Sequence, residues 1–295
     1  METINQRTTI SSPRILELKN KRRKILKRKI IIFLSIFLFL FIGLVFLSRW
    51  ERLQIENIEI SGNKIIESKM ILEKVEEDLT GHYLWVIPKT NFLLYPENSI
   101  KKELAEDFKR LENINVSIDT MRVLKIELSE RKAVYTWCGD TLDSRTAGIN
   151  TENKCYFMNE LGYVFDEAPY FSGDVYFRFF GKINRNGEDP SGRYFLVDNF
   201  GKLIFFLDTL KNIDIKPIAL YVKEDGEAEL YLSSNASLID SPKIIFNIDT
   251  DLNKIAENIQ ASVATPVFKE QIEKDPDSLL YLDLRFGNKI YYKFK

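Results

Sequence analysis

One histidine, two cysteines and no glycine-rich loop leave this 295-residue chain with few of the side chains that catalysis requires. His82 follows Gly81 in a loop-like stretch with no fixed nucleophile beside it in sequence, so a Ser or Cys nucleophile served by histidine has no evident base. No phosphate-cradling loop and no zinc-protease motif occurs. Paired carboxylates are the remaining enzymatic route, because two acids suffice to cleave a glycan. Glu76, Glu77 and Asp78 read as the exposed side of a helix, and Asp249 with Asp251 as a helix start, where acids favour the dipole. Both clusters thus have structural explanations, and neither an enzyme nor a cofactor, a metal or a small-molecule substrate is expected.

Charge of one sign is also missing overall, but the net charge of −1 conceals an asymmetry. Residues 1–29 hold ten Lys or Arg against Glu2 and Glu17, net +8, leaving 32 basic and 41 acidic groups, net −9, in the rest. Between the two regions lies IIIFLSIFLFLFIGLVFLS, Ile30 to Ser48, nineteen residues without a charge or a proline. As a helix it spans roughly 28 Å, close to the ~30 Å hydrocarbon core of a bilayer. A cleaved signal peptide usually has a shorter apolar core ending in a small-residue site. This run leaves instead through Leu47, Ser48, Arg49 and Trp50, so an uncleaved transmembrane helix is the expectation. The basic cluster Lys21, Arg22, Arg23, Lys24, Lys27, Arg28 and Lys29 precedes it, which predicts a cytoplasmic N-terminus, contact with anionic lipid, and an extracytoplasmic remainder. No aromatic residues interleave with that cluster, and nucleic acid is not expected as a partner. Residues 1–20 show no hydrophobic periodicity and read as an irregular cytoplasmic tail.

Cys138 and Cys155 bracket a polar stretch, GDTLDSRTAGINTENK. A disulfide there would close a loop of about 15 residues and suits an oxidising compartment; the alternative, a metal site, lacks further Cys or His ligands.

After the membrane segment, Ile58 and Ile60 alternate with polar residues as in a strand, and Ile71, Leu72, Val75 and Leu79 follow helical spacing. Pro96 to Phe108 reads as a second helix, with Asn98 or Ser99 as a cap, and 114–120 and 123–135 as two strands joined at Met121 and Arg122. The order is β, α, α, β, β. The loop GHYLWVIPKTNFLLYP between the two helices is rich in large apolar residues, which belong either to the core or to a patch facing a membrane neighbour. From about residue 154 the pattern is mostly β, with strands at 154–165, 175–180, 213–222, 228–232 and 243–248 and helices at 199–210 and 252–264, the latter capped by Asp249 or Thr250.

The last fifteen residues, YLDLRFGNKIYYKFK, read as a hairpin. Leu282, Leu284 and Phe286 share one face, Ile290, Tyr292 and Phe294 repeat it, and Gly287-Asn288 forms a favoured two-residue turn. The final strand is expected at a sheet edge, with Lys289, Lys293 and Lys295 beside Tyr291 on its outer face. Those lysines either discourage edge-to-edge aggregation or select an acidic segment that adds to the sheet.

The β-α-α-β-β order resembles a POTRA domain. ISGN (60–63), LKIELSER (124–131), CYFMNELGYVF (155–165) and YLDLRFGNKIYYK (281–293) resemble, in that order, stretches of the FtsQ/DivIB cell-division family. The chain departs from the family in lacking a proline before the third POTRA strand. The resemblance implies an α+β fold: a single transmembrane helix (30–48) after a basic tail (1–29), a POTRA domain (53–135) and a mostly antiparallel β domain with two helices (136–295). It implies a non-enzymatic scaffold at the division septum that binds FtsB/FtsL-type membrane proteins outside the cytoplasm, through Phe286, Gly287, Asn288, Lys289, Ile290, Tyr291, Tyr292 and Lys293. A POTRA-bearing protein of envelope assembly or secretion is the alternative; its usual outer-membrane barrel is not legible here.

Overall fold

The computed structural model describes residues 13–142, 154–184, 189–266, 268, 270, 278–287 and 289–295, with the backbone alone for 13–20. The fold is α+β, with one apolar helix near the N-terminus and a large, mostly antiparallel sheet. The helix, α1 (Pro13–Ser48), begins upstream of the apolar run, in a segment expected to be irregular. Pro13 suits a first helical turn, and the Leu, Glu, Lys and Arg that follow are strong helix formers. Its Lys21–Ser48 portion is long and apolar enough to cross a membrane, and its most apolar window is exposed among the described residues.

Two compact units are distinguished, one of Met1–Ser61, Ile66–Lys101 and Asn115–Glu127, the other of Gly62–Ile65, Lys102–Ile114 and Leu128–Lys295. After α1 come β1 (Asn57–Ser61), α2 (Ser68–Leu79), a two-residue-strand hairpin β2 (His82–Tyr83) and β3 (Ile87–Pro88), α3 (Glu97–Asp107), β4 (Leu111–Thr120) and β5 (Val123–Glu130). Three of these strands form a sheet in the order β1-β5-β4, with β1 parallel to β5. α2 buries Ile71, Val75 and Leu79 as its spacing predicts. It also buries Asp78, which the sequence reading had placed on the exposed side; a residue seven positions after Ile71 and three after Val75 returns to the same helical face. α3 starts at Glu97, so Asn98 and Ser99 lie inside its first turn rather than capping it.

Gly62 explains why ISGN and LKIELSER belong together. Its φ is +98° and a Cβ there would stand 1.8 Å from the Leu128 carbonyl oxygen, so only glycine lets the chain after β1 approach β5. The Glu130 carboxylate then accepts the Lys64 and Ile65 main-chain N–H groups at 2.7 and 2.9 Å, satisfying the turn that follows.

The larger unit carries a sheet that, among the described residues, has nine strands in the order β14-β13-β12-β11-β10-β9-β6-β7-β8. These are β6 (Tyr135–Trp137), β7 (Cys155–Met158), β8 (Val164–Ala168), β9 (Phe177–Gly181), β10 (Pro217–Val222), β11 (Glu227–Leu232), β12 (Lys243–Asn247), β13 (Leu279–Phe286) and β14 (Lys289–Phe294). Helices α4 (Phe200–Asn212) and α5 (Leu252–Val263) make the crossovers that the parallel pairs β9–β10 and β12–β13 require. Both pack on one face, where Leu203, Phe206, Ile255 and Ile259 meet Leu220, Leu230, Phe246 and Leu282 in one apolar core. The cap of α5 is Asp251, which accepts from the Asn253 N–H at 3.0 Å, one or two residues beyond the positions expected. The run 123–135 is broken into β5 and β6, and 213–222 is shortened because Ile213 ends α4. On the other face Phe180, Ala219, Tyr231 and Leu238 form a smaller cluster with Cys138, which is disulfide-bonded to Cys155.

Candidate functional site

β14 is an outermost strand of the large sheet, antiparallel to β13. The Lys295 N–H donates to the Ser278 carbonyl across that pair at 2.8 Å. Successive strand residues direct their main-chain groups to opposite sides, so Lys293 and Tyr291 face β13 with Lys295. Ile290, Tyr292 and Phe294 turn their N–H and C=O groups away from the sheet. Among the described residues no strand pairs with that side of β14, and a line of main-chain donors and acceptors runs along the edge.

The positions singled out from the sequence separate into three groups. Ile290, Tyr292 and Phe294 share the inner face: Ile290 and Phe294 pack against the core, while Tyr292 stays exposed with its ring 5.7 Å from that of Phe268. Lys289, Tyr291 and Lys293 are exposed, and Gly287 makes the turn with φ +67°. Phe286 departs from expectation, being 55% exposed rather than buried. From Asp283 to Phe286 β13 advances three residues while β14 moves two, from Tyr291 to Lys289; this bulge reverses the parity of Phe286 and sets its ring edge-on to Tyr291 at 5.3 Å. Asn288 lies outside the described residues. Far along the chain, Lys21, Arg22, Arg23, Lys24, Lys27, Arg28 and Lys29 are all exposed on α1.

The sequence reading missed a network of charges behind the edge, on the face that the helices leave bare. Glu229 is buried on β11 and accepts from Tyr231 Oη at 2.6 Å, Lys243 Nζ at 2.7 Å and Lys223 Nζ at 2.8 Å. Burial alone would raise its pKa, but the hydrogen bonds from the two lysines and Tyr231 outweigh burial and hold it at about 2. On β13 the Arg285 guanidinium grips Asp283 with two N–H groups, at 2.9 and 2.6 Å, and also reaches Glu227. Burial opposes ionisation of Asp283 as well, and the Arg285 hydrogen bonds again prevail, lowering its pKa. The register continues this pattern to the edge: Tyr231 faces Lys243, Lys243 faces Tyr281, and Tyr281 faces Lys293. The signal was the alternation of Glu227, Glu229 and Tyr231 in a strand whose intervening residues are apolar.

Asp249 accepts from Asn199 Nδ2 at 3.2 Å and Asp251 is occupied as a cap, so each has a structural role. Among the described residues no group of three or more His, Cys, Asp or Glu side chains converges as a metal site requires. The arrangement offers an extended main-chain ladder flanked by aromatic and cationic side chains, suited to receiving another strand. The chain matches no protein-family model, and a search of curated proteins gives no match.

Proposed function

We propose that this chain is a non-enzymatic, membrane-anchored scaffold of bacterial cell division, of the kind its resemblance to the FtsQ/DivIB family implies. In this reading residues 53–135 are a POTRA-type domain and 136–295 the family's β domain, both outside the cytoplasm, with the basic residues Lys21 to Lys29 inside. β14 receives a strand from an FtsB/FtsL-type membrane protein, and membrane lipid is the second partner. The observation that carries the reading is the outer edge of β14, unpaired among the described residues, where Ile290, Tyr292 and Phe294 turn main-chain groups outward beside exposed Tyr291, Lys289 and Lys293. Supporting it, the helix Lys21–Ser48 is suited to anchoring, and β1 and β5, in or beside which ISGN and LKIELSER lie, are neighbours in the β1-β5-β4 sheet.

The main chain supplies affinity in such a pairing, and the lysines favour an acidic or amphipathic segment. Tyr292→Pro removes a donor on the free side without touching the ladder to β13. Purified full-length protein carrying that change is expected to lose binding to the extracytoplasmic segment of the same organism's FtsB-type protein while its circular dichroism is retained. Unchanged affinity would rule out strand addition at this edge. A fluorescent fusion is expected at midcell; a uniform envelope signal would count against a division role.

A further inference from the structure

We propose that the β2–β3 hairpin is a lipid-contacting foot, whose tip, Leu84 and Trp85, enters the interfacial layer of the bilayer at the end of α1. The inference goes beyond the division reading and rests on only one part of it, that α1 spans a membrane.

Three observations on the same unit carry it. The first is attachment. The Ser48 carbonyl at the end of α1 accepts from Gln54 Nε2 at 2.6 Å and from the buried Asn91 Nδ2 at 3.0 Å. Arg49 Nε donates to the Val86 carbonyl at 3.1 Å, one residue from Trp85, and the Ile55 N–H donates to the Thr90 carbonyl at 2.8 Å. The segment that leaves the apolar helix and the segment that carries the hairpin are thus bonded together. Where the helix emerges from hydrocarbon, the hairpin is present too.

The second is exposure. Trp85 is 94% exposed, Leu84 78% and Leu93 71%, and Tyr83 and Leu94 of the same stretch are exposed with them, whereas Val86, Ile87 and Phe92 are half-buried. A cluster of large apolar side chains in water marks an interaction surface. Its place beside Arg49 and the exposed Trp50 is where interfacial aromatic belts lie, with cations at headgroup level.

The third is the turn itself. Leu84 and Trp85 have φ +46° and +68°, and the Val86 N–H closes the turn onto the Tyr83 carbonyl at 3.1 Å. Two successive positive φ values define a primed turn, which favours Asn-Gly. Bulky apolar residues there suit neither the backbone nor water. Insertion into the interface accounts for both.

The test places the full chain in nanodiscs of phosphatidylcholine whose acyl chains are brominated near the headgroup, with unbrominated lipid as reference. Of the three tryptophans, Trp137 is buried in the large unit and supplies a constant background, measured in the W50F/W85F double variant. W50F then reports Trp85, and W85F reports Trp50. The expected result is loss of both the Trp85 and the Trp50 signals in brominated lipid, with blue-shifted emission for Trp85. If Trp50 is quenched while Trp85 stays bright in brominated lipid and open to aqueous acrylamide, the foot is overturned and the anchor stands. In that case the tip awaits a protein, not lipid. If neither is quenched, the membrane-spanning reading of α1 fails and the foot fails with it.

Discussion

The two hairpins β2–β3 and β13–β14 solve the same geometric problem with opposite residues. β13–β14 turns on Gly287, at φ +67° and with open space around the missing Cβ. β2–β3 turns on Leu84 and Trp85, which adopt positive φ without being glycine, asparagine or aspartate. Their fastenings differ as well. The terminal hairpin is held close to its turn by ionised groups, Arg285 with Asp283 and Glu227, whereas the other is tied through main-chain carbonyls of Ser48 and Val86. A turn whose residues suit its geometry reports only on local folding. One whose residues oppose it reports a demand from outside the turn.

A third turn calibrates the comparison and carries the largest expected effect. At Gly62 positive φ and lack of space coincide, since a Cβ would strike the Leu128 carbonyl at 1.8 Å. Gly62→Ala must therefore separate β1 from β5 as well as strain the backbone, and is expected to cost about 3–5 kcal/mol. Urea unfolding of the detergent-solubilised chain measures it. A loss below about 1 kcal/mol would mean that the approach of the two strands is not what requires glycine.

Acid should distinguish the two fastenings. Glu229 has its pKa depressed to about 2 and Asp283 is shifted the same way, so both bind protons more readily in the unfolded chain. Their contribution is complete above the ordinary carboxylate range, near 4.5 for Glu229, and is lost as pH falls toward 2. Protection against hydrogen exchange in β11–β14, relative to the intrinsic rate, should fall over that window, while the β2–β3 segment, tied through carbonyls, keeps its protection. Glu229→Gln leaves Lys223 and Lys243 facing a neutral amide; about 3 kcal/mol of stability at neutral pH and most of the acid dependence should disappear with it. An unaltered acid profile in that variant would move the cause to other carboxylates.

What could be read in advance follows from how local each cause is. The alternation in Leu282, Leu284, Ile290 and Phe294 declared the terminal hairpin, because a strand's two faces repeat within two residues. The bulge that exposes Phe286 was illegible, being a mismatch of one residue between two strands rather than a property of either. Likewise Glu229 reads as a surface glutamate until the register brings Lys243 and Tyr231 beside it. Asp78 differs in kind: its helical phase relative to Ile71 and Val75 puts it on the buried face, whereas its charge points to the exposed one. The β2–β3 hairpin escaped because its turn residues are those that turn rules exclude.

Replacing those residues sharpens the comparison directly. Leu84→Asn with Trp85→Gly installs the residues that the primed turn favours, and relief of the strained φ values should stabilise the hairpin by about 1–2 kcal/mol in lipid-free detergent. Slower exchange of the Val86 amide is the readout. The same change should diminish the membrane contact proposed for the tip. A hairpin that is no firmer after the exchange would indicate that Leu84 and Trp85 are held by packing rather than tolerated against strain.

The smallest effect is expected at Gly287, where conformation matters and space does not. A methyl group there meets no atom within 4 Å, so Gly287→Ala incurs only the left-handed backbone term, about 1 kcal/mol, and Gly287→Asn still less. Because the main-chain groups of Ile290 and Tyr292 lie beyond the turn, strand addition at β14 should survive either change. Comparing the two substitutions for unfolding and for partner affinity then separates a turn that merely closes a hairpin from an edge that is itself the binding element. A variant that keeps its stability and loses the partner would shift recognition from the strand to the turn.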